Sequence, residues 1–245
     1  SNQGLYALSV PMADTTQDLI RVVVAMNFSD EVIEQLQAVS NRLVVERHFP
    51  DVLDEAYANA EVLYTTRHFP DPTQTPHLRW IQLHSAGVEH ALRQPIVLAE
   101  DIAVTSASGI HATPIAEYCI SMMLAFMYKI PKMVELKAKA EWSENQYDIF
   151  KPHGLRDLTV GIVGYGSIGR EVARIADAMG MTILATKRDL AHLRDEVGYN
   201  EQGTGDPLGD IPERLYPPEA LGSMVQDCDF VVVATQKILK KNLLL

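Results

Sequence analysis

Apolar and polar positions along the chain alternate between two rhythms. Leu19 to Met26 reads LIRVVVAM, a β-branched apolar run of strand type. Asp30 to Val39 then places Val32, Ile33, Leu36 and Val39 at helical spacing behind a cap at Ser29 or Asp30. Val44 and Val45 predict a short strand, Asp51 to Asn59 a short helix, and Glu61 to Thr65 the next strand. Leu78 to Leu83 and Ile102 to Thr105 continue the series. Strands that alternate with helices predict a parallel sheet covered on both faces.

Thr113-Pro114 reads as an N-cap followed by proline at the first helical position, opening a helix that runs to about Ile130. That helix is apolar on nearly every side, which predicts burial, with Met122 and Met123 as core filler. Lys132 to Trp142 predicts a more polar helix, and a loop passes through His153-Gly154. Leu158 to Val163 is a second buried strand, Ser167 to Met179 a helix stopped by Gly180, and Met181 to Thr186 a strand. Ala191 to Pro218, rich in glycine, proline and charge, predicts an extended excursion before a helix at Glu219 to Gln226 and a strand at Phe230 to Ala234. RHFPD occurs at both Arg47 and Arg67, which predicts two similar strand exits rather than a repeat architecture.

Composition narrows the class. A chain of 245 residues with 47% hydrophobic content has room for two domains with buried cores. A net charge of -11 repels phosphate backbones and anionic lipid, so no nucleic-acid or membrane partner is expected. The longest apolar run, Tyr118 to Tyr128, is too short to span a bilayer, and no signal-peptide pattern follows Ser1. Cys119 and Cys228 sit in apolar surroundings and predict buried, reduced thiols in a cytoplasmic protein. No metal is expected: neither cysteines nor histidines cluster with ligand spacing.

The chemistry concentrates in GIVGYGSIGR, from Gly161 to Arg170. Gly164, Gly166 and Gly169 form a GxGxxG turn that leaves a strand and opens a helix, the context in which this motif cradles a dinucleotide pyrophosphate. Gly164 permits the turn, Gly166 admits the phosphates, and Gly169 lets the helix pack on the strand. Tyr165, Ser167 and Ile168 complete the site at the helix N-terminus. At the end of the next strand stand Lys187 and Arg188, where NAD-binding domains carry a carboxylate for the ribose hydroxyls. Two cations attract a 2′-phosphate, so NADP is the favoured cofactor. NAD remains possible if Asp189 takes the ribose.

Four segments together resemble the D-isomer-specific 2-hydroxyacid dehydrogenase family: LHSAGVEH from Leu83, ASGIHATPIAEY from Ala107, GLRDLTVGIVGYGSIGREVA from Gly154 and CDFVVVAT from Cys228. The resemblance implies an α/β architecture with a flavodoxin-like substrate domain at 1–107 and a Rossmann dinucleotide-binding domain at 108–245. It implies homodimers, a small 2-oxo or 2-hydroxy acid as substrate, and hydride transfer with NAD(P). By the same likeness Ala86, Gly87 and Val88 offer amides to the substrate carboxylate, an anion nest or else an ordinary turn. Thr113, a helix cap by its own sequence, is implied to lie beside the cofactor, as are Ala234 and Thr235.

The family's catalytic Arg, Glu and His follow the strand that Phe230 to Ala234 represents. The segment from Gln236 to Leu245 reads QKILKKNLLL and departs from the family pattern. The expectation is therefore a truncated member with an incomplete Rossmann domain and no catalytic residue of its own. Val231 to Val233 would stand at a sheet edge, with KILKKNLLL a candidate cover. His84 and His111 could border the cleft, though structural roles suit them better. A dinucleotide-binding or sensing module without catalysis is the alternative function. An adenosyl-methionine enzyme fits less well, because the complete GxGxxG turn argues against it.

Overall fold

The computed structural model describes residues 19–194 and 201–235. These fall into two compact units, one from the residues up to Ile81 with Pro95–Ala103, the other from Gln82–Gln94 with Val104 onward. Both are α/β.

In the first sheet β1 (Ile20–Val24) leads through α1 (Asp30–Gln37) to β2 (Leu43–Arg47), then through α2 (Asp54–Asn59) to β3 (Val62–Thr65). Strands β4 (Trp80–Leu83) and β5 (Ala103–Thr105) complete the order β2-β1-β3-β4-β5. β1 lies parallel to both β2 and β3, with Val22 opposite Val45 and Val62. This is the flavodoxin-like strand order. Its β-branched runs are explained by burial: Val23, Val24 and Leu63 are sealed from solvent. The two RHFPD stretches are indeed strand exits, since Arg47 ends β2 and Arg67 follows β3 by two residues.

The second unit opens with α3 (Ala112–Met127), α4 (Ile130–Ala138) and α5 (Gln146–Ile149). Then come β6 (Thr159–Val163), α6 (Ser167–Ala178), β7 (Thr182–Thr186), β8 (Arg214–Tyr216), α7 (Leu221–Gln226) and β9 (Phe230–Val233). The sheet is parallel throughout, in the order β8-β7-β6-β9, with Val160 opposite Ile183 and Phe230. These are the first four positions of the Rossmann order 3-2-1-4-5-6. Helices α3 and α6 bring Ala116, Ile120, Met123, Val172, Ala173 and Ala176 into one core with Val160, Ile162 and Ile183 of the sheet.

Several elements depart from expectation. Helix α3 begins at Ala112 with His111 as N-cap, so Thr113 lies inside the first turn and caps nothing. A tight turn, in which the Ala112 N–H donates to the Gly109 carbonyl at 3.1 Å, brings the chain into the helix early. Pro114 fits there because first-turn N–H groups have no intrahelical acceptor. Nor is α3 buried all round: Ala112, Ala116, Ile120 and Met123 form one buried stripe, while Tyr118, Met122 and Phe126 are exposed. Only Met123 of the methionine pair fills the core. The helix stops at Met127 because Lys129 turns left-handed, with φ 53°. Helix α4 consequently starts earlier than expected and leaves Trp142 outside, 83% exposed.

Helix α5 and strand β8 were not anticipated. β8 is three residues long, too short for a periodic signal, and lies inside the stretch read as an excursion. Both cysteines are free but only half-buried. β9 is the outer strand among the described residues, with Val231 and Val233 exposed, while the segment KILKKNLLL lies outside them. No helix among the described residues is long and apolar enough to cross a membrane.

Ile162 is fully buried at the centre of this sheet. Ile162→Ala should cost about 2–5 kcal/mol of stability, read as a lower urea midpoint by circular dichroism with an unchanged slope.

Candidate cofactor-binding site

The site is built where the strands of the second sheet end. A cavity of about 740 Å³ opens at the carboxyl ends of β6, β7 and β9, within the size range of small-molecule sites. β6 and β9 are neighbours in the sheet yet far apart in sequence, which makes the crevice between them the topological switch point of the fold.

Backbone packing shapes the floor. Gly164 has φ +100°, a region that favours glycine, and a side chain there would collide with Ala234 and Thr235. A Cβ on Gly169 would strike the Gly164 carbonyl oxygen and would lie 2.9 Å from Ile162 Cγ2. Gly166 faces open space. Strand β7 holds the turn in place: the Gly164 N–H donates to Thr186 Oγ1 at 3.1 Å, and the Tyr165 N–H to the Thr186 carbonyl at 3.0 Å. The N-terminus of α6 then points its unsatisfied first-turn N–H groups towards the cavity.

Every residue expected to hold the cofactor borders the cavity: Gly164 to Gly166, Ser167, Ile168, Lys187, Arg188, Ala234 and Thr235, with two exceptions. Gly169 sits behind the turn as a packing contact. Thr113 lines a smaller cavity of about 180 Å³, shared with Ser167, Glu201 and Thr204, and its hydroxyl donates to Glu201 Oε2 at 3.2 Å. Of the three residues expected to meet substrate, Ala86 lines the large cavity, Val88 is buried, and the Gly87 carbonyl accepts from Ser85 Oγ at 2.7 Å. Ser108, Gly109 and His111 also face the large cavity and were not expected as binding residues.

Tyr165 departs from its expected role. Its backbone borders the cavity, but its ring is buried and its hydroxyl donates to Asp206 Oδ2 at 2.6 Å. Burial and the adjoining Asp206 carboxylate push the Tyr165 phenol far above its ordinary pKa. Burial by itself would raise the Asp206 carboxyl. Bonds from Tyr165 and from the N–H groups of Ile211, Asp210 and Gly209 outweigh it and hold the acid below its usual value. Glu171 is likewise sealed in, bonded twice to Arg174 and once to the Gly205 N–H at 2.6 Å. The excursion is therefore clamped to α6. Its one sequence signal was the pair of charged residues, Arg170 and Glu171, on the apolar face of that helix.

Asp189 also lines the large cavity, with its carboxylate engaged. Its carboxylate accepts from the Ala191 N–H at 2.9 Å and contacts His192 Nδ1 at 2.7 Å, and the His192 bond foremost holds it below the ordinary carboxylate range.

The donor set suits a dinucleotide: a glycine cradle, a helix N-terminus for the pyrophosphate, and two cations at the end of β7. Comparison with known proteins agrees. Residues 120–238 match the description "D-isomer specific 2-hydroxyacid dehydrogenase, NAD binding domain". Over these residues the chain is similar to the NAD-binding domain of the D-isomer specific 2-hydroxyacid dehydrogenase family. It is 33% identical over 115 residues to a D-3-phosphoglycerate dehydrogenase of Synechocystis, covering 45% of this chain and 19% of that one. Against the glyoxylate reductase/hydroxypyruvate reductase of Mus musculus it is 31% identical over 105 residues, 43% of this chain and 32% of the other. The matched stretches thus span a third or less of these relatives' length. The NADPH-dependent glyoxylate/hydroxypyruvate reductase of Sinorhizobium meliloti, solved with NADP and sulfate, shares the fold. Its TM-score is 0.65 at 20% identity, over 89% of this chain and 63% of that one. D-lactate dehydrogenase of Aquifex aeolicus, solved with NAD and lactic acid, gives 0.57 at 18% identity, over 88% and 60%.

The low pKa of Asp206 carries a stability consequence. A carboxyl depressed in the folded state contributes stability above its unfolded pKa and loses it as pH falls through the folded value. Asp206→Asn should cost about 1.5–3 kcal/mol at pH 7, and the gap to wild type should close below about pH 4, read by thermal unfolding across pH.

Proposed function

We propose that this chain binds NADP in preference to NAD and forms the cofactor-holding part of an oxidoreductase acting on small 2-oxo and D-2-hydroxy acids. One observation carries the cofactor choice. Lys187, Arg188 and Asp189 border the cavity at the end of β7, and the Asp189 carboxylate is engaged by Ala191 and His192. The two cations outnumber this one engaged carboxylate and favour a 2′-phosphate.

Within this reading Gly164, Gly166, Ser167 and Ile168 receive the pyrophosphate. Ala234 and Thr235 flank it, and Thr113 stands beside it. The bound nicotinamide supplies hydride to a 2-oxo acid or accepts it from the hydroxy acid. The loop at Ala86, Gly87 and Val88 is the proposed seat of the substrate carboxylate, with Ala86 already on the cavity wall. We assign the substrate domain to 1–107 and the cofactor domain to 108–245. The exposed apolar side chains of α3, Tyr118, Met122 and Phe126, are the proposed contact of a homodimer. The free, half-buried cysteines suit a cytoplasmic protein.

A second reading, a dinucleotide-binding module without turnover, is favoured by the wall itself. His111 is its one histidine among the described residues, and no carboxylate there is bonded to it. A tuned general acid/base ordinarily has such a partner.

Titrating the purified chain with NADPH and NADH should show tighter NADPH binding, and Arg188→Ala should weaken NADPH about tenfold with a smaller effect on NADH. Equal or tighter NADH binding would overturn the cofactor assignment. Oxidation of bound NADPH on adding glyoxylate or hydroxypyruvate supports the enzyme, and binding without oxidation supports the module.

A further inference from the structure

Among the described residues that line the small cavity beside the glycine turn, Glu201 is the one that carries a charge. Glycines, hydroxyls and two apolar side chains make up the remaining wall. Two helices begin at this cavity. Ala112 and Thr113 open α3, and Ser167 opens α6. With 16 and 12 residues, both helices present a positive N-terminal end. Ser167 lines the small and the large cavity alike, so Glu201 stands next to the seat assigned to the pyrophosphate.

A built turn delivers the carboxylate. The Glu201 carbonyl accepts from the Thr204 N–H at 3.1 Å and from Thr204 Oγ1 at 2.7 Å. Gly203, inside this turn, has φ +83°. Gly205 then donates its N–H at 2.6 Å to Glu171 Oε2, on a fully buried residue of α6. The turn thus rides on the helix whose first residue lines the same cavity. From it Glu201 Oε2 accepts from Thr113 Oγ1 at 3.2 Å. An ionised carboxylate only accepts, so the single hydroxyl proton of Thr113 is committed to Glu201 and is not offered to a phosphate oxygen. Glu171, the other carboxylate nearby, is already paired with Arg174 within α6.

We propose that Glu201 is an affinity-setting residue: a held negative charge beside the pyrophosphate seat that opposes dinucleotide binding and hastens release. This rests on the seating of the pyrophosphate at α6 given above. It does not rest on the choice between NADP and NAD, since both carry the same diphosphate. In the empty protein the carboxylate shares the positive field of α3 and α6. A diphosphate brings further negative charge into that field, and like charges at short range repel. Glu201 is exposed, so water and salt temper the repulsion. The consequence suits an oxidoreductase, which must let its cofactor go in every cycle, a step that limits turnover in many enzymes.

Two substitutions separate the charge from the hydrogen bond. Glu201→Gln removes the charge and keeps an oxygen that accepts from Thr113. Glu201→Ala removes both and frees the Thr113 hydroxyl to donate to a phosphate. Glu201 is exposed and outside the sheet core, so both variants leave the fold intact, which circular dichroism checks.

The test measures Kd on the purified full chain for four probes: NADPH and NADH by cofactor fluorescence, ADP-ribose and adenosine 2′-monophosphate by calorimetry. At about 0.05 M salt Glu201→Gln should bind the three diphosphate-containing probes about three- to tenfold tighter, and Glu201→Ala at least as tightly. The gain should shrink at about 0.5 M salt, where exposed charges are screened. Adenosine 2′-monophosphate, which has no diphosphate, should bind as to wild type. Stopped-flow release of NADPH should slow in both variants. Unchanged or weaker diphosphate binding in Glu201→Gln overturns the proposal. So does an equal gain for adenosine 2′-monophosphate, or a gain in Glu201→Ala alone, which would assign the effect to the hydrogen bond instead of the charge. A wild type that prefers NADH contradicts the NADP reading and leaves this inference standing. A wild type that binds none of the three diphosphate probes overturns the seat and this inference with it.

Discussion

The carbonyl oxygen of Gly164 occupies the space that a side chain at Gly169 would need, and most of the second unit depends on that contact. It lets α6 start directly against β6, so the helix N-terminus meets the end of the strand with nothing between. It also turns the chain sharply enough for Ala234 and Thr235, arriving from β9, to close the other side. The anion-binding character of the cavity follows from backbone geometry alone, because first-turn N–H groups and the helix dipole are aimed where the turn leaves room. Thr186 extends this arrangement to β7 by accepting from the turn through both its hydroxyl and its carbonyl. The end of β7, with Lys187 and Arg188, is thereby held at a fixed place relative to the glycine turn.

The excursion between β7 and β8 adds a second layer. Arg170, Glu171 and Tyr165 are buried polar groups, and each would be costly without a partner. All three find theirs in the excursion: the carbonyls of Leu193 and Asp206, the Gly205 N–H, and the Asp206 carboxylate. A stretch that reads as a loop is in this way tied to the helix whose N-terminus borders the cavity. The same ties bring Glu201 to the hydroxyl of Thr113, so α3 and the excursion meet beside the N-terminus of α6. Polar burial here specifies one arrangement of the loop, whereas hydrophobic packing specifies the sheet beneath it.

Much of the fold was legible in the sequence because parallel strands buried on both faces write continuous β-branched runs. IRVVV, TVGIV and FVVV could hardly be anything else. The GxGxxG turn was legible because each glycine answers a separate steric demand. Elements were missed where such signals are weak: β8 is three residues long, and α5 is a single turn. The burial of α3 was overstated, because a helix apolar on all sides carries no pattern to tell its inward stripe from the outward face of Tyr118, Met122 and Phe126.

The sequence by itself determined the alternation of strands and helices, the glycine turn and the charges that follow β7, since these depend on local sterics and on residue chemistry at fixed spacing. Only the tertiary structure decided what those residues face. It turned the Tyr165 ring away from the cavity towards Asp206, engaged Asp189 with His192, and placed Thr113 inside a helix rather than at its cap. Such outcomes rest on contacts between residues 3 to 88 positions apart, from Asp189 and His192 to Thr113 and Glu201. A carboxylate's role is set by which donor reaches it first, and that is settled by how the chain packs.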